Sequence, residues 1–231
     1  MAPPKQQSKP ETTKVNNESQ SPIKNAYLLF YNAISAVAWG IVLARTVSLA
    51  GLEGPEAVFP AIGNRTKWTQ TAAGLEILHS LLGVVRAPVF TTAMQVASRF
   101  LLVWGVVHPF PELAVQSPFY VSMLLAWSLT EVIRYSFFAV GLRFGQQPAF
   151  LTWLRYNTFF VLYPVGITSE CVLIYLATGP AAEQYGDVIK YGLYAILATY
   201  VPGAYILYTY MIKQRKRVMR NLKAKNEKAS Q

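Results

Sequence analysis

The chain has 231 residues, of which 53% are hydrophobic and only 14% are charged, against about 25% charged in a typical soluble domain. Its net charge is +10, but most of the excess lies in residues 213–231, and residues 27–212 are almost neutral. A near-neutral middle excludes a nucleic-acid-binding surface, and a single cysteine, Cys171, excludes a disulfide scaffold. The composition therefore predicts a polytopic membrane protein, with membrane lipid as a partner and no nucleic acid.

Both ends of the chain are polar and are predicted to be disordered tails. Residues 1–26 are rich in Pro, Ser, Gln and Lys, unlike a cleavable signal peptide. Residues 213–231 carry eight basic residues and one acidic residue, a run that stops membrane transfer and attracts anionic lipid. Residues 27–212 form the predicted transmembrane domain.

Six apolar stretches approach the roughly 20 residues that a membrane-crossing helix needs. They cover residues 27–50, 71–85, 89–107, 118–142, 152–178 and 188–212. The second and third are the weakest, because Arg86, Pro88 and Arg99 interrupt them, and fusing these two leaves five spans as the alternative. The predicted fold class is all-α, a polytopic bundle of six transmembrane helices.

The distribution of Lys and Arg predicts the orientation of the bundle. With six spans both basic tails lie on one side, together with the loops that contain Arg86 and Arg143. Basic segments flank membrane helices on the cytosolic side, so both termini are predicted to be cytosolic. Asn64, in an Asn-Arg-Thr sequence, then lies on the opposite side as a candidate glycosylation site close to the next helix.

Ionisable side chains inside membrane spans are costly and usually face a protein interior or a polar cavity. Glu76 and His79 are three residues apart, which suggests a local polar pair. Glu131, Arg134 and Tyr135 share one helical face, either as an ion pair that joins two helices or as the lining of a polar cavity. Further ionisable residues within or next to the spans include Arg86, Arg99, Arg155 and Glu170.

The fifth stretch carries the most informative pair, Tyr163 and Glu170. Seven residues of helix separate them, which is about 20° of rotation and about 10.5 Å of rise, so both face the same way. Pro164 and Gly166 loosen the backbone between them, as is tolerated where a helix lines a cavity. The segment predicts a polar pocket; the alternative is an interfacial tyrosine beside a common proline kink.

Several blocks of the sequence resemble the very-long-chain (3R)-3-hydroxyacyl-CoA dehydratases, which are also called protein tyrosine phosphatase-like proteins. The blocks are LRY at 154–156 followed by LYPVGITSE at 162–170, WSLTEVIRY at 127–135, TAAGLEILH at 71–79 and QVASR at 95–99. The resemblance extends from about residue 27 to residue 211 and leaves only the tails uncovered. It does not imply phosphatase activity, because the sixth residue after Cys171 is Ala177, where a cysteine phosphatase needs an arginine.

The resemblance implies an enzyme of the endoplasmic reticulum membrane. The reaction would be loss of water from (3R)-3-hydroxyacyl-CoA to give trans-2-enoyl-CoA, the third step of fatty-acid elongation, which also supplies sphingolipid precursors. The implied partners are the condensing enzyme, the ketoacyl reductase and the enoyl reductase of that cycle. The elimination involves no redox change and the histidines and cysteine form no spaced metal cluster, so neither a cofactor nor a metal is expected.

The resemblance also places the catalytic residues at Tyr163 and Glu170. A desolvated carboxylate is a stronger base, so Glu170 is expected to remove the C2 proton and Tyr163 to protonate the departing hydroxyl. The reverse assignment, or one residue serving both roles in a syn elimination, remains open. Supporting or substrate-binding roles are expected for Glu131, Arg134, Tyr135, Arg155 and Arg99, with Arg134 and Arg155 as candidates to hold the CoA phosphates or polarise the thioester.

Two questions stay open at this point. If the fifth span starts at Thr152, Glu170 lies about 27 Å from that start, which requires either a helix that begins above the bilayer or a deep vestibule facing the cytosol. A transporter or lipid-binding membrane protein would also contain buried charges and a broken helix, although it needs no paired acid and base. Besides an enzyme and a transporter or lipid-binding protein, a third possible function is that of a scaffold, a family member without strong activity.

Overall fold

The computed structural model describes residues 21–229, and all regular elements in this part of the chain are helices. In chain order they are α1 (Pro22–Leu52), a 3₁₀ turn (Pro55–Ala57), α2 (Val58–Ala72), α3 (Leu75–Leu81), α4 (Val89–Phe100) with a π-helical extension (Leu101–Val107), α5 (Pro111–Gln116), α6 (Pro118–Phe144), α7 (Ala149–Asn157), α8 (Phe159–Tyr185) and α9 (Asp187–Ala229). The predicted all-α class is confirmed.

Five helical segments are long and apolar enough to cross a membrane. They are Pro22–Leu52, Val89–Val107, Pro118–Phe144, Phe159–Tyr185 and Asp187–Leu222. Large apolar side chains on their outer faces are exposed, including Phe30 and Ile34 of α1 and Val201 of α9. Such faces suit contact with lipid, so the structure has the helices of a multi-pass membrane protein.

The predicted stretch at 71–85 does not form one helix. α2 ends at Ala72, α3 holds only seven residues, and the chain then turns at Gly83, whose φ of 66° is in the left-handed region that glycine adopts readily. α3 and α4 remain separate helices on either side of that turn.

α2 and α3 together run back along α1. α1 ends next to Gly54 (φ 103°), and the 3₁₀ turn at Pro55–Ala57 leads directly into α2. At the other end of α1, the hydroxyl of Tyr27 lies 2.7 Å from Nε2 of His79 in α3. The pair α2–α3 therefore lies along α1 from its C-terminal end to Tyr27, although neither helix does so alone.

α6 is the central helix of the bundle, packing against α1 on one side and α8 on the other. Its ends follow local sequence rules: the Ser117 hydroxyl accepts the N–H of Phe119, Pro118 occupies the first turn, and Gly145 ends the helix with a φ of 72°. α8 packs in turn against α9, so the order in the core is α1, α6, α8, α9.

The C-terminal part of the structure differs from the predicted disordered tail. α9 begins after Gly186 (φ 89°) and continues without a break past residue 212 to Ala229. The residues after 212 are mostly Lys, Arg, Met, Leu and Ala, which favour helix, and no Gly or Pro interrupts them. Of the predicted N-terminal tail, residues 1–20 lie outside the described residues, while 22–26 belong to α1.

Candidate active site

The Glu170 carboxylate lies where three helices meet. Glu170 is on α8, and its Oε1 accepts a hydrogen bond from Nε1 of Trp127 on α6 at 2.8 Å. Its Oε2 accepts from the hydroxyl of Tyr200 on α9 at 3.1 Å. The carboxylate is thus held at both oxygens, and each oxygen keeps a lone pair for another proton.

Tyr163 lies nearer the start of α8 and has its own partners. Its hydroxyl donates to the backbone carbonyl of Ala204 on α9 at 3.4 Å, and its ring stacks on that of Tyr208 with 5.8 Å between centroids. Ala204 is four residues after Tyr200, or about 6 Å along α9. Tyr163 and Glu170 therefore contact adjacent turns of α9.

α8 begins later in the chain than the sequence predicts. The side chains of Asn157 and Thr158 donate to the carbonyls of Trp153 and Leu154 at 2.8 and 2.9 Å, and at this point α7 ends and α8 starts. Counted from Phe159, Glu170 is about 17 Å along the helix and Tyr163 about 6 Å. This is shorter than the depth of about 27 Å counted from Thr152, because residues 149–157 form the separate helix α7.

Four charged side chains form an ion-pair network between α3, α4 and α6. Arg134 donates two hydrogen bonds to Glu76, at 2.9 and 2.7 Å, and its Nε donates to Glu131 at 2.6 Å. Arg99 donates to the other oxygen of Glu131, and the Tyr135 hydroxyl donates to Glu76. Glu131 is 4% exposed, and the network satisfies it on both oxygens. The two carboxylates and two guanidinium groups cancel in charge.

This network touches the Glu170 site through one side chain. The Arg99 guanidinium lies 4.9 Å from the ring centre of Trp127, in the geometry of a cation–π contact. The same indole donates to Glu170. Of the residues predicted to support the site, Arg99 is therefore one contact removed from Glu170, and Glu131, Arg134 and Tyr135 lie behind it.

Arg155 lies apart from both groups of residues. It is on α7, where its guanidinium packs 4.8 and 4.6 Å from the ring centres of Phe137 and Phe138. Nearby, Nε of Arg215 on α9 donates to the side chain of Asn157 at 2.9 Å. Basic side chains thus gather at the end of the bundle where α8 begins.

The sequence did not identify Trp127 and Tyr200 as partners of Glu170. Trp127 stands in a block that resembles the family, but nothing local marks Tyr200 among the other tyrosines of α9. The expected pair of Glu76 with His79 has no hydrogen bond of its own: Glu76 bonds to Arg134, and His79 bonds to Tyr27. Asn64 is exposed on α2, although Thr66 of the same triplet is buried.

The family model described as "Protein tyrosine phosphatase-like protein, PTPLA" matches residues 70–221, which include the whole ion-pair network and both residues of the Tyr163–Glu170 pair. The chain belongs to this family. No solved structure is significantly similar to it.

Family members from fungi, plants and animals are similar to this chain over most of its length. The probable very-long-chain (3R)-3-hydroxyacyl-CoA dehydratase of Schizosaccharomyces pombe is 44% identical, with 88% of this chain and 97% of the relative covered. The dehydratase PASTICCINO 2 of Arabidopsis thaliana is 42% identical, with 86% and 95% covered. The human very-long-chain (3R)-3-hydroxyacyl-CoA dehydratase 2 is 35% identical, with 86% and 82% covered.

Proposed function

We propose that this protein is a hydro-lyase that converts very-long-chain (3R)-3-hydroxyacyl-CoA to trans-2-enoyl-CoA, the third step of fatty-acid elongation. The observation that carries the proposal is the Glu170 carboxylate, which lies inside an apolar bundle. It accepts hydrogen bonds from two donors and is on the same face of α8 as Tyr163. Relatives named as dehydratases match almost the whole chain. They do not favour the alternative of a transporter or a lipid-binding protein without catalysis.

Glu170 is the base in the proposed mechanism. It takes the proton from C2 of the substrate, and the C2–H electrons form the C2–C3 double bond as the bond between C3 and its oxygen breaks. An ionised carboxylate only accepts hydrogen bonds, and the two donors that hold Glu170 leave room for the incoming proton. Trp127 and Tyr200 fix the direction in which the carboxylate points.

Tyr163 is the proton donor to the departing hydroxyl, which leaves as water. Its hydroxyl has only a long hydrogen bond to Ala204, at 3.4 Å, so little is lost when it turns to the substrate. After the product leaves, the proton on Glu170 returns to the Tyr163 oxygen, and the site is restored without any cofactor. Arg134 and the residues paired with it join α3, α4 and α6, and α6 carries Trp127, which holds Glu170.

Two conservative substitutions test the catalytic assignment. Glu170→Gln and Tyr163→Phe remove the base and the donor with little change in shape, and each is expected to lower kcat about 10²- to 10⁴-fold. Tyr208→Phe is the matched control, because it removes a hydroxyl next to Tyr163 and keeps the stacked ring. Dehydration is followed as enoyl-CoA formation by the purified protein. Near-normal rates in both folded variants would overturn the assignment.

We further propose that the bundle crosses the endoplasmic reticulum membrane six times, with both termini in the cytosol. Support comes from α2–α3, which returns along α1 from Leu52 as far as Tyr27, about 38 Å of that helix, so the pair is long enough to cross the membrane beside α1. Residues 52 and 82 then lie on opposite sides. In a Cys171→Ser background, Leu52→Cys and Leu82→Cys test this, since both leucines are exposed. In sealed vesicles a membrane-impermeant thiol reagent should label only one of them from each side; labelling of both from one side would contradict six crossings.

This orientation places the basic end of the bundle in the cytosol, where acyl-CoA is available. Arg155 and Arg215 at that end are suited to the phosphates of CoA, while Glu170 lies deeper in the bundle. The condensing enzyme and the two reductases of the elongation cycle would supply the substrate and consume the product. Co-purification from solubilised membranes tests that association.

A further inference from the structure

A groove between α8 and α9 opens on the outer surface of the bundle. It has a volume of about 430 Å³, within the range of small-molecule sites. Its walls include Ile167, Cys171 and Tyr175 on α8 and Leu197, Tyr200 and Ala204 on α9. The lining is almost entirely apolar, and it extends from Ile167 to Tyr175 along α8, or about 12 Å.

The groove is continuous with the Glu170 site through two residues. Tyr200 lines the groove and also donates its hydroxyl to Glu170. Ala204 lines it and accepts the hydroxyl of Tyr163. Tyr163 and Glu170 thus each hydrogen-bond to a residue that lines the groove, which places the groove directly beside the pair.

The groove also runs away from the basic end of the bundle. Ile167 and Cys171 follow Tyr163 along α8, whereas Arg155 and Arg215 lie near the start of that helix. The end of the bundle before Tyr163 and the groove beside Glu170 thus differ in chemistry, one basic and one apolar. An acyl-CoA has the same division, with phosphates at one end and a hydrocarbon chain at the other.

We infer that the α8–α9 groove binds the hydrocarbon chain of the acyl-CoA substrate next to its reacting carbons. The inference rests on the proposed function, because it places C2 and C3 at the Tyr163–Glu170 pair. Near the far end, the ring of Tyr175 contacts that of Tyr194, 6.5 Å between centroids. The first part of the chain lies in the groove, and a longer chain continues past Tyr175 into the lipid.

Cys171 lines the groove and is the only cysteine in the sequence, so its reaction with a thiol reagent reports whether the groove is occupied. The purified full-length protein in detergent is treated with a maleimide, and labelling of Cys171 is timed with and without saturating substrate. A sixteen-carbon 3-hydroxyacyl-CoA should slow labelling at least tenfold, whereas a four-carbon one should leave it within twofold. Equal protection by both, or by neither, would overturn the inference. Protection by phospholipid vesicles but not by the long acyl-CoA would also overturn it, since the groove would then be a site for membrane lipid.

A substitution that fills the groove gives an independent test. Val201 lines the groove and is exposed, so Val201→Trp is expected to lower kcat/KM at least tenfold for the sixteen-carbon substrate and to leave the four-carbon substrate within twofold. Val161→Trp is the matched control on an exposed part of α8 outside the groove, and neither rate should change. Equal losses for both substrates, or none, contradict the inference. If the wild-type protein dehydrates neither substrate, the proposed function itself has failed.

Discussion

The hydrogen bond from Trp127 to Glu170 leads to the sharpest prediction. Trp127→Phe removes the Nε1–H donor, 2.8 Å from the carboxylate, and keeps an aromatic ring under the Arg99 guanidinium. A hydrogen bond to a charged group contributes about 1.5–3 kcal/mol. At about 1.36 kcal/mol per tenfold change in rate, loss of this bond should lower the rate about 10- to 100-fold. Because Trp127 orients the base and does not hold the substrate, the loss should fall on kcat and leave KM unchanged.

Trp127 is only 2% exposed, and Phe is smaller than Trp, so the substitution also leaves a void in the core. A control variant must reproduce that void. Trp39→Phe on α1 is the matched variant: Trp39 is 1% exposed and belongs to the same core. Both variants leave a similar void, but only Trp127→Phe removes a donor from Glu170. Steady-state rates of enoyl-CoA formation and the thermal unfolding temperature are measured for both. If Trp127→Phe retains wild-type kcat, or if Trp39→Phe loses as much, the indole does not orient the base.

Three further predictions concern Tyr200, the ion-pair network and Arg155. Tyr200→Phe removes the second donor to Glu170, at 3.1 Å, and should lower kcat about tenfold, while Tyr208→Phe should stay near the wild-type rate in the same assay. Arg134→Met breaks a partly buried pair and should lower the free energy of unfolding by up to about 3 kcal/mol. Adding Glu76→Gln should restore part of that loss, measured as the thermal unfolding temperature in detergent. Arg155→Gln should raise KM for acyl-CoA with kcat unchanged; an unchanged KM would exclude a role in binding the CoA phosphates.

The helices that local signals define could be predicted well from the sequence. α6 was expected at 118–142 and runs Pro118–Phe144, because Ser117, Pro118 and Gly145 mark its ends and its interior is apolar. The junction of α7 and α8 was not predicted, because no comparable signal in the sequence marks it. Asn157 and Thr158 sit within an apolar stretch, and only their bonds to backbone carbonyls show that the helix ends there.

Partners within one helix were easier to predict than partners on different helices. The shared face of Glu131 and Arg134 follows from their spacing, and the structure joins them. The same rule suggested His79 as a partner of Glu76, but Glu76 bonds to Arg134, 58 residues away. Which faces of two helices meet depends on how the helices rotate when they pack, and the sequence of a single helix does not contain that information.

Tyr200 illustrates the same limit at the candidate active site. α9 carries Tyr191, Tyr194, Tyr200, Tyr205, Tyr208 and Tyr210, and periodicity alone does not distinguish them. The structure turns the Tyr200 hydroxyl towards Glu170 and leaves Tyr205 largely exposed. The types of residue in the site could therefore be predicted. Their geometry could not, because it depends on how α6, α8 and α9 pack together.

The balanced charges of the ion-pair network have an electrical consequence. A net charge carried across a membrane changes in energy by about 2.3 kcal/mol for each 100 mV of transmembrane potential. Glu76 and Glu131 are offset by Arg99 and Arg134, so a potential across the bilayer exerts no net force on the four side chains. The network as a whole therefore does not couple to the membrane potential through a net charge.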